Sequence, residues 1–166
     1  ANSVLGARTI QYPDLLDVCA AITGRVPAVG LHLNENRAGE ILLKLIDIPE
    51  DLQIDDLFAP VLGHLLGTIA DDRVPVVEGL TVELAEDHLK AICAGGASSG
   101  AVHLFHIVGQ TPEALTLAEA FQGHEPTEVH DINLRDLRRI RSELDSSQGK
   151  SLEMVVLGSP HFSFAE

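Results

Sequence analysis

At 166 residues, with 45% hydrophobic and 22% charged residues, the chain has the length and balance of one globular domain with a sizeable core. Aromatics make up only 4% and Trp is absent, so that core must come from Leu, Ile, Val and Ala. A formal net charge of -14 disfavours binding to a phosphate backbone or an anionic membrane and reads as a solvated acidic surface.

Two cysteines, Cys19 and Cys93, lie far apart and form no CxxC pair. They exclude a disulfide framework and cannot alone build an iron–sulfur or zinc site. No apolar run is long enough for a signal peptide or a membrane span, which makes the cytoplasm the expected location. The chain opens already patterned on ANSVLGAR and stops at SPHFSFAE, and both ends read as cuts through a longer chain.

In chain order, Pro13 and Asp14 begin a helical pattern in which Leu15, Leu16, Val18, Cys19 and Ile22 share one face and Gly24 is the stop. VGLHL (29–33) is a short strand candidate, NENRAG (34–39) a turn, and ILLKLIDI (41–48) a buried strand ended by Pro49. The fourfold spacing of Leu57, Val61, Leu65 and Ile69 predicts a helix from about Asp56 to Ile69, with Pro60 in its first turn. PVVEG (75–79) is a strand, Glu86 to Ser98 a helix stopped by Gly100, and AVHLFHIVG (101–109) a strong buried strand. Thr111, Pro112 and Glu113 fit the cap and first turn of a helix that Gly123 ends. TEVHDI (127–132) is a strand, Asn133 caps the helix LRDLRRIRSEL (134–144), SSQGK (146–150) is a loop, and LEMVVLG (152–158) is the last strand. Strands alternating with helices of ten or more residues predict an α/β layered domain with a largely parallel sheet flanked by helices.

In such sheets ligands gather beyond the carboxyl ends of the strands. Two loops qualify: VGQTPEA (108–114) and GSPHFS (158–163). The second concentrates Ser159, His161 and Ser163, stiffened by Pro160, and fits either a ligand site or a plain capping turn. TPEA is explained wholly as a helix start, although its amides could bind an anion. His103 and His106 are spaced HxxH; on a strand they point to opposite faces, which excludes a shared metal and leaves one as a buried, hydrogen-bonded histidine. His106, nearer the carboxyl end, is the better site candidate. Asn2, Ser3, Arg8 and Thr9 supply donors for a carboxylate, or else form a helix end with a capping arginine. Arg135, Arg138, Arg139 and Arg141 alternate with Asp136, Glu143 and Asp145, the pattern of a solvated, salt-bridged helix face. Cys19 and Cys93 both read as core.

The segments ANSVLGART (1–9), DVCAAITGRVP (17–27), GLHLNENRAG (30–39), VVEGL (76–80), 89–114 and VVLGSPHFS (155–163) together resemble the aconitase X family of the aconitase superfamily, in order and spacing across essentially the whole chain. The resemblance implies an aconitase-like fold, with the chain a single α/β domain (1–166) internal to a larger catalytic chain. It implies a hydro-lyase that removes water from a hydroxylated carboxylic substrate, with an iron–sulfur cluster as Lewis acid and a small swivelling domain closing over the catalytic part. One branch of the family is a fused chain that dehydrates cis-3-hydroxy-L-proline; the other is a two-subunit enzyme that dehydrates mevalonate 5-phosphate. Many members carry Cys in a GCPH form of the late loop, where this chain has Ser159, a poorer cluster ligand. The cluster ligands are therefore expected mostly outside the chain, none is assigned here, and the serine form points to the hydroxyproline branch.

On the same resemblance Ser3, Ser159 and His161 are placed at the chemistry, and Asn2, Arg8, Thr9, Ser163 and His106 against the substrate. ANSVLGART and GSPHFS are expected on the same side of the sheet, and the isolated stretch is expected to be inactive. The alternative of another class is a non-catalytic scaffold that keeps the fold; the serine at 159 motivates it, and the intact ANSVLGART and PHFS strings oppose it.

Overall fold

The computed structural model describes residues 1–146, 149, 151 and 153–156. Its centre is a four-stranded, all-parallel sheet: β1 (Ile41–Leu45), β2 (Pro75–Glu78), β3 (His106–Ile107) and β4 (Glu128–Ile132), in the order β3-β2-β1-β4. The helices are α1 (Asn2–Leu5), α2 (Leu16–Thr23), α3 (Glu50–Gln53), α4 (Phe58–Ala70), α5 (Glu86–Ser99), α6 (Leu117–Ala120) and α7 (Leu134–Leu144).

The sheet register divides the core in two. Leu42, Val76 and His106 lie in one row across β1, β2 and β3, while Leu43, Val77 and Ile107 lie in the next. Because successive residues of a strand face opposite ways, the second row meets α4, α5 and α7 in the larger core, and Leu42 and Val76 meet Ala114, Ala120 and Phe121 in the smaller one. Both faces are covered at the central strands, which is why β1 reads as a nearly unbroken apolar run. Pro60 falls in the first turn of α4, where its missing N–H costs nothing. The Asn133 side chain accepts from Arg135 N–H, and with Asp136 it closes a capping box at the start of α7. Arg139 pairs with Glu143 on the solvent side of that helix.

Several expected elements fold differently. VGLHL forms no strand; a 3-10 turn, Gly30–His32, takes its place, and a second, Asn34–Asn36, follows in NENRAG. AVHLFHIVG contributes only His106 and Ile107 to the sheet, and the Phe105 amide, on the open edge, donates to Ser3 Oγ. Thr111, Pro112 and Glu113 do not start a helix. Thr111 Oγ1 accepts from Ile107 N–H at 2.9 Å, closing a turn, and the helix begins instead at Thr116, whose capping box with Glu119 is complete. Residues 153–156 carry no strand and are exposed. Nor is the apolar face of α2 core: Leu15, Val18, Cys19 and Ile22 are all exposed, because the helix packs on neither core. Periodicity reports that a face is apolar; it does not report what covers it. Among the described residues no helix is long and apolar enough to cross a membrane.

Close packing of α4 on α5 depends on glycine. A Cβ at Gly63 would come within 2.5 Å of Ile92 O, a backbone atom, whereas one at Gly96 would meet the flexible Leu66 Cδ2 at 3.3 Å. Gly63→Ala is expected to lower unfolding free energy in urea by about 1–3 kcal/mol despite alanine's better helix propensity. Gly96→Ala should cost clearly less; equal losses would contradict a backbone contact at Gly63.

Candidate functional site

The carboxylate-binding candidates sit on a short hairpin of structure around α1. Gly6, at φ +63, ends α1 in the left-handed conformation that glycine favours. The Asn2 side chain then staples the returning chain: its Oδ1 accepts from Thr9 N–H at 2.9 Å, and its Nδ2 donates to Thr9 O at 3.1 Å and to His103 O at 3.2 Å. Ser3 is buried, with its hydroxyl oxygen accepting from Phe105 N–H at 2.9 Å. Asn2, Ser3 and Thr9, with Cys93 and His103, line a cavity of about 180 Å³.

Arg8 lies outside the wall of this cavity. Its Nη1 donates to His32 O at 3.1 Å and its Nη2 to Asn34 Oδ1, so it leans on the two 3-10 turns before β1. These acceptors are neutral, and Arg8 forms no ion pair among the described residues.

Behind it lies a pair that the sequence analysis missed. Arg37 is only 1% exposed. Its Nε lies 2.9 and 2.8 Å from the two Glu113 oxygens, and its Nη2 lies 2.5 Å from Oε1. The remaining donors reach Leu31 O at 2.9 Å and Asn2 O at 3.3 Å. The carbonyl of Arg37 accepts from His106 Nε2 at 2.8 Å, which places the imidazole proton on Nε2 and leaves the buried Nδ1 without a partner. His106 is thus a buried, hydrogen-bonded histidine, joined to Asn2 only through Arg37. Arg37 had been part of a turn and Glu113 part of a helix start; a lone arginine and a lone glutamate 76 positions apart give no spacing signal.

The structure thus gathers Asn2, Ser3 and Thr9, sets Arg8 beside them against the 30–36 turns, and places His106 beneath. Ser159, His161 and Ser163 lie outside the described residues, as does the expected side of GSPHFS.

An iron–sulfur cluster needs a set of thiolates. Cys19 is exposed on α2, Cys93 is partly buried on α5, and burial pushes the Cys93 thiol above its ordinary value, away from the thiolate. Among the described residues no three His, Cys, Asp or Glu side chains converge on a metal site. The described residues therefore do not fit such a cluster.

Two groups in this network set its response to acid. Burial works against the charge on Glu113, but the hydrogen bonds and charge of Arg37, helped by His106 and Arg8, hold its carboxyl below the ordinary 4.5. Burial lowers His106 below 6.5, with the Arg37 carbonyl opposing. Both folded values are depressed, so the unfolded chain takes up each proton first. The stability is full above pH 6.5 for His106 and above pH 4.5 for Glu113, and it drains as pH falls from each toward the folded value. Thermal unfolding followed against pH should give a flatter limb just below pH 6.5 in His106→Gln than in the unaltered protein. Parallel limbs would contradict a neutral buried His106.

Comparison with known proteins places this geometry in a family. The model of the aconitase X second domain matches residues 39–142, more than half the chain, and that of the aconitase X first domain matches residues 1–35. The chain is 42% identical, over its whole length, to a cis-3-hydroxy-L-proline dehydratase of Pseudomonas aeruginosa, and spans 28% of that protein. It is 36% identical, again over its whole length, to the phosphomevalonate dehydratase large subunit of Methanosarcina mazei, covering 38% of it. The crystal structure of Thermococcus kodakaraensis aconitase X in its holo-form superposes with a TM-score of 0.71 at 28% identity, over 88% of this chain and 35% of that one. The chain belongs to the aconitase X family, with Arg37 in the short interval between the segments that match its first and second domains.

Proposed function

We propose that the whole protein is a hydro-lyase that dehydrates cis-3-hydroxy-L-proline. The observation that carries this reading is the 42% identity, along the entire chain, with a protein of that activity, against 36% with the phosphomevalonate dehydratase large subunit. The chemistry is the loss of the C2 proton and the C3 hydroxide as one water, leaving a C2=C3 double bond. It requires a base for the proton, an acceptor for the hydroxide and a grip on the carboxylate.

The residues of this chain bear on the grip. Arg8 is a guanidinium held by neutral acceptors, so its charge remains available to a carboxylate, which it can hold through two parallel hydrogen bonds. Asn2, Ser3 and Thr9 shape the adjoining cavity. We assign Ser159 and His161 to the reacting end and Ser163 and His106 to substrate contact or its support, on the family likeness. The same likeness supports an iron–sulfur cluster with ligands mostly outside this chain and a small swivelling domain as partner.

The full-length enzyme should turn over cis-3-hydroxy-L-proline with a higher kcat/KM than mevalonate 5-phosphate in side-by-side assays. Clear preference for the phosphorylated substrate would overturn the assignment. Arg8→Lys keeps the charge but loses the planar fork, and is expected to lower kcat/KM for the hydroxyproline by about tenfold or more.

A further inference from the structure

We propose that the Arg37–Glu113 ion pair is a positioning device: it fixes the Asn2 and Arg8 segment against the sheet and so aims Arg8 at the substrate carboxylate. The inference rests on the dehydratase reading for its substrate, and on the geometry for the rest.

The path runs through named atoms. Glu113 follows β3 and anchors Arg37 by three contacts of 2.5–2.9 Å. Arg37 then donates to Asn2 O and, at 3.4 Å, to Asn2 Oδ1, so it grips the residue that staples Thr9. It also donates to Leu31 O, in the first 3-10 turn. The next carbonyl, His32 O, and the Asn34 side chain are the acceptors on which Arg8 rests. Gln122 Nε2 ties the same turn down through Asn34 O at 2.7 Å. Displacing Arg37 removes one hold on Asn2 and one on the first 3-10 turn together, leaving the Asn2–His103, Ser3–Phe105 and Gln122–Asn34 contacts in place.

Fold stability alone does not call for this arrangement. An apolar pair of similar volume commonly replaces a buried ion pair without loss. What an apolar pair cannot do is hold both Asn2 and Leu31 by hydrogen bonds from one planar group. Both Arg37 and Glu113 act through Asn2 and Arg8, and neither is placed on the reacting atoms.

The test uses the full-length enzyme with Glu113→Gln, Glu113→Asp, and the double change Arg37→Met with Glu113→Gln. Glu113→Gln leaves a buried guanidinium without its counter-charge and should lower the melting temperature. The double change removes both charges and should recover most of that loss. If the pair positions the segment, the double variant still shows KM for cis-3-hydroxy-L-proline raised about tenfold with a smaller change in kcat, and faster amide hydrogen exchange in residues 1–10. Glu113→Asp, which keeps the charge, should recover part of the KM. Unaltered KM and exchange in the stable double variant would overturn the proposal. If the unaltered enzyme does not turn over the hydroxyproline, the dehydratase reading fails, and the exchange arm still decides whether the pair holds the segment.

Discussion

A guanidinium that is 1% exposed has given up its hydration, at a cost of several kcal/mol that only well-placed acceptors offset. Arg37 finds them on both sides of the interval between the two family segments. Asn2 and Leu31 supply carbonyls from the residues matched to the first domain; Glu113, from the second, supplies the counter-charge. Apolar contact between the two segments is modest, with Val4 packed at the margin of the larger core. The relation between the segments is therefore set mainly by directional hydrogen bonds, which fix orientation more tightly than an apolar contact, whose energy is indifferent to direction.

That network depends in turn on how β3 is cut short. A parallel strand needs its amides for its neighbours. On the side of β3 that has no neighbouring strand, the Phe105 amide goes to Ser3 Oγ, and Thr111 Oγ1 takes the Ile107 amide. The Val108 amide donates to Val77 O on β2, so the alternating amides of Phe105 and Ile107 point to the open edge of the sheet, and the two hydroxyls cap that edge on either side of His106. The tight turn that follows brings Glu113 back toward Arg37, and its next residue, Ala114, drops into the smaller core beside Val76 and Phe121. One short strand thus connects Ser3 to the sheet, seats His106 under Arg37 and delivers Glu113.

The elements that could be read from the sequence are those whose signal is local. For α4, α5 and α7, apolar spacing, Pro60 in a first turn, Gly100 as a stop and Asn133 as a cap each act within a few residues. β1, β2 and β4 followed from apolar or alternating runs between turn residues. Failures came where a distant partner decided the outcome. VGLHL has strand composition but folds into a 3-10 turn whose Leu31 carbonyl serves Arg37, and the buried run before His106 gives an amide to a serine 102 residues away. TPEA satisfied every local rule for a helix start, yet its glutamate serves an arginine from another segment. Of the site, Asn2, Ser3 and Thr9 were legible as a cluster because they are neighbours in sequence as well as in space. Arg37 and Glu113 were not, since a pairing across 76 positions leaves no trace in either neighbourhood.

Charge closes the argument. Against the net charge of -14 on these 166 residues, a cation without a paired carboxylate is where a substrate carboxylate would be held most strongly. Glu113 lies close enough to Arg8 for the two charges to interact. Arg37 takes both Glu113 oxygens and holds that carboxylate ionised and paired. The buried arginine thereby does two things with one set of hydrogen bonds: it holds the backbone carbonyls of Asn2 and Leu31, and it pairs the Glu113 carboxylate, leaving Arg8 with neutral acceptors alone.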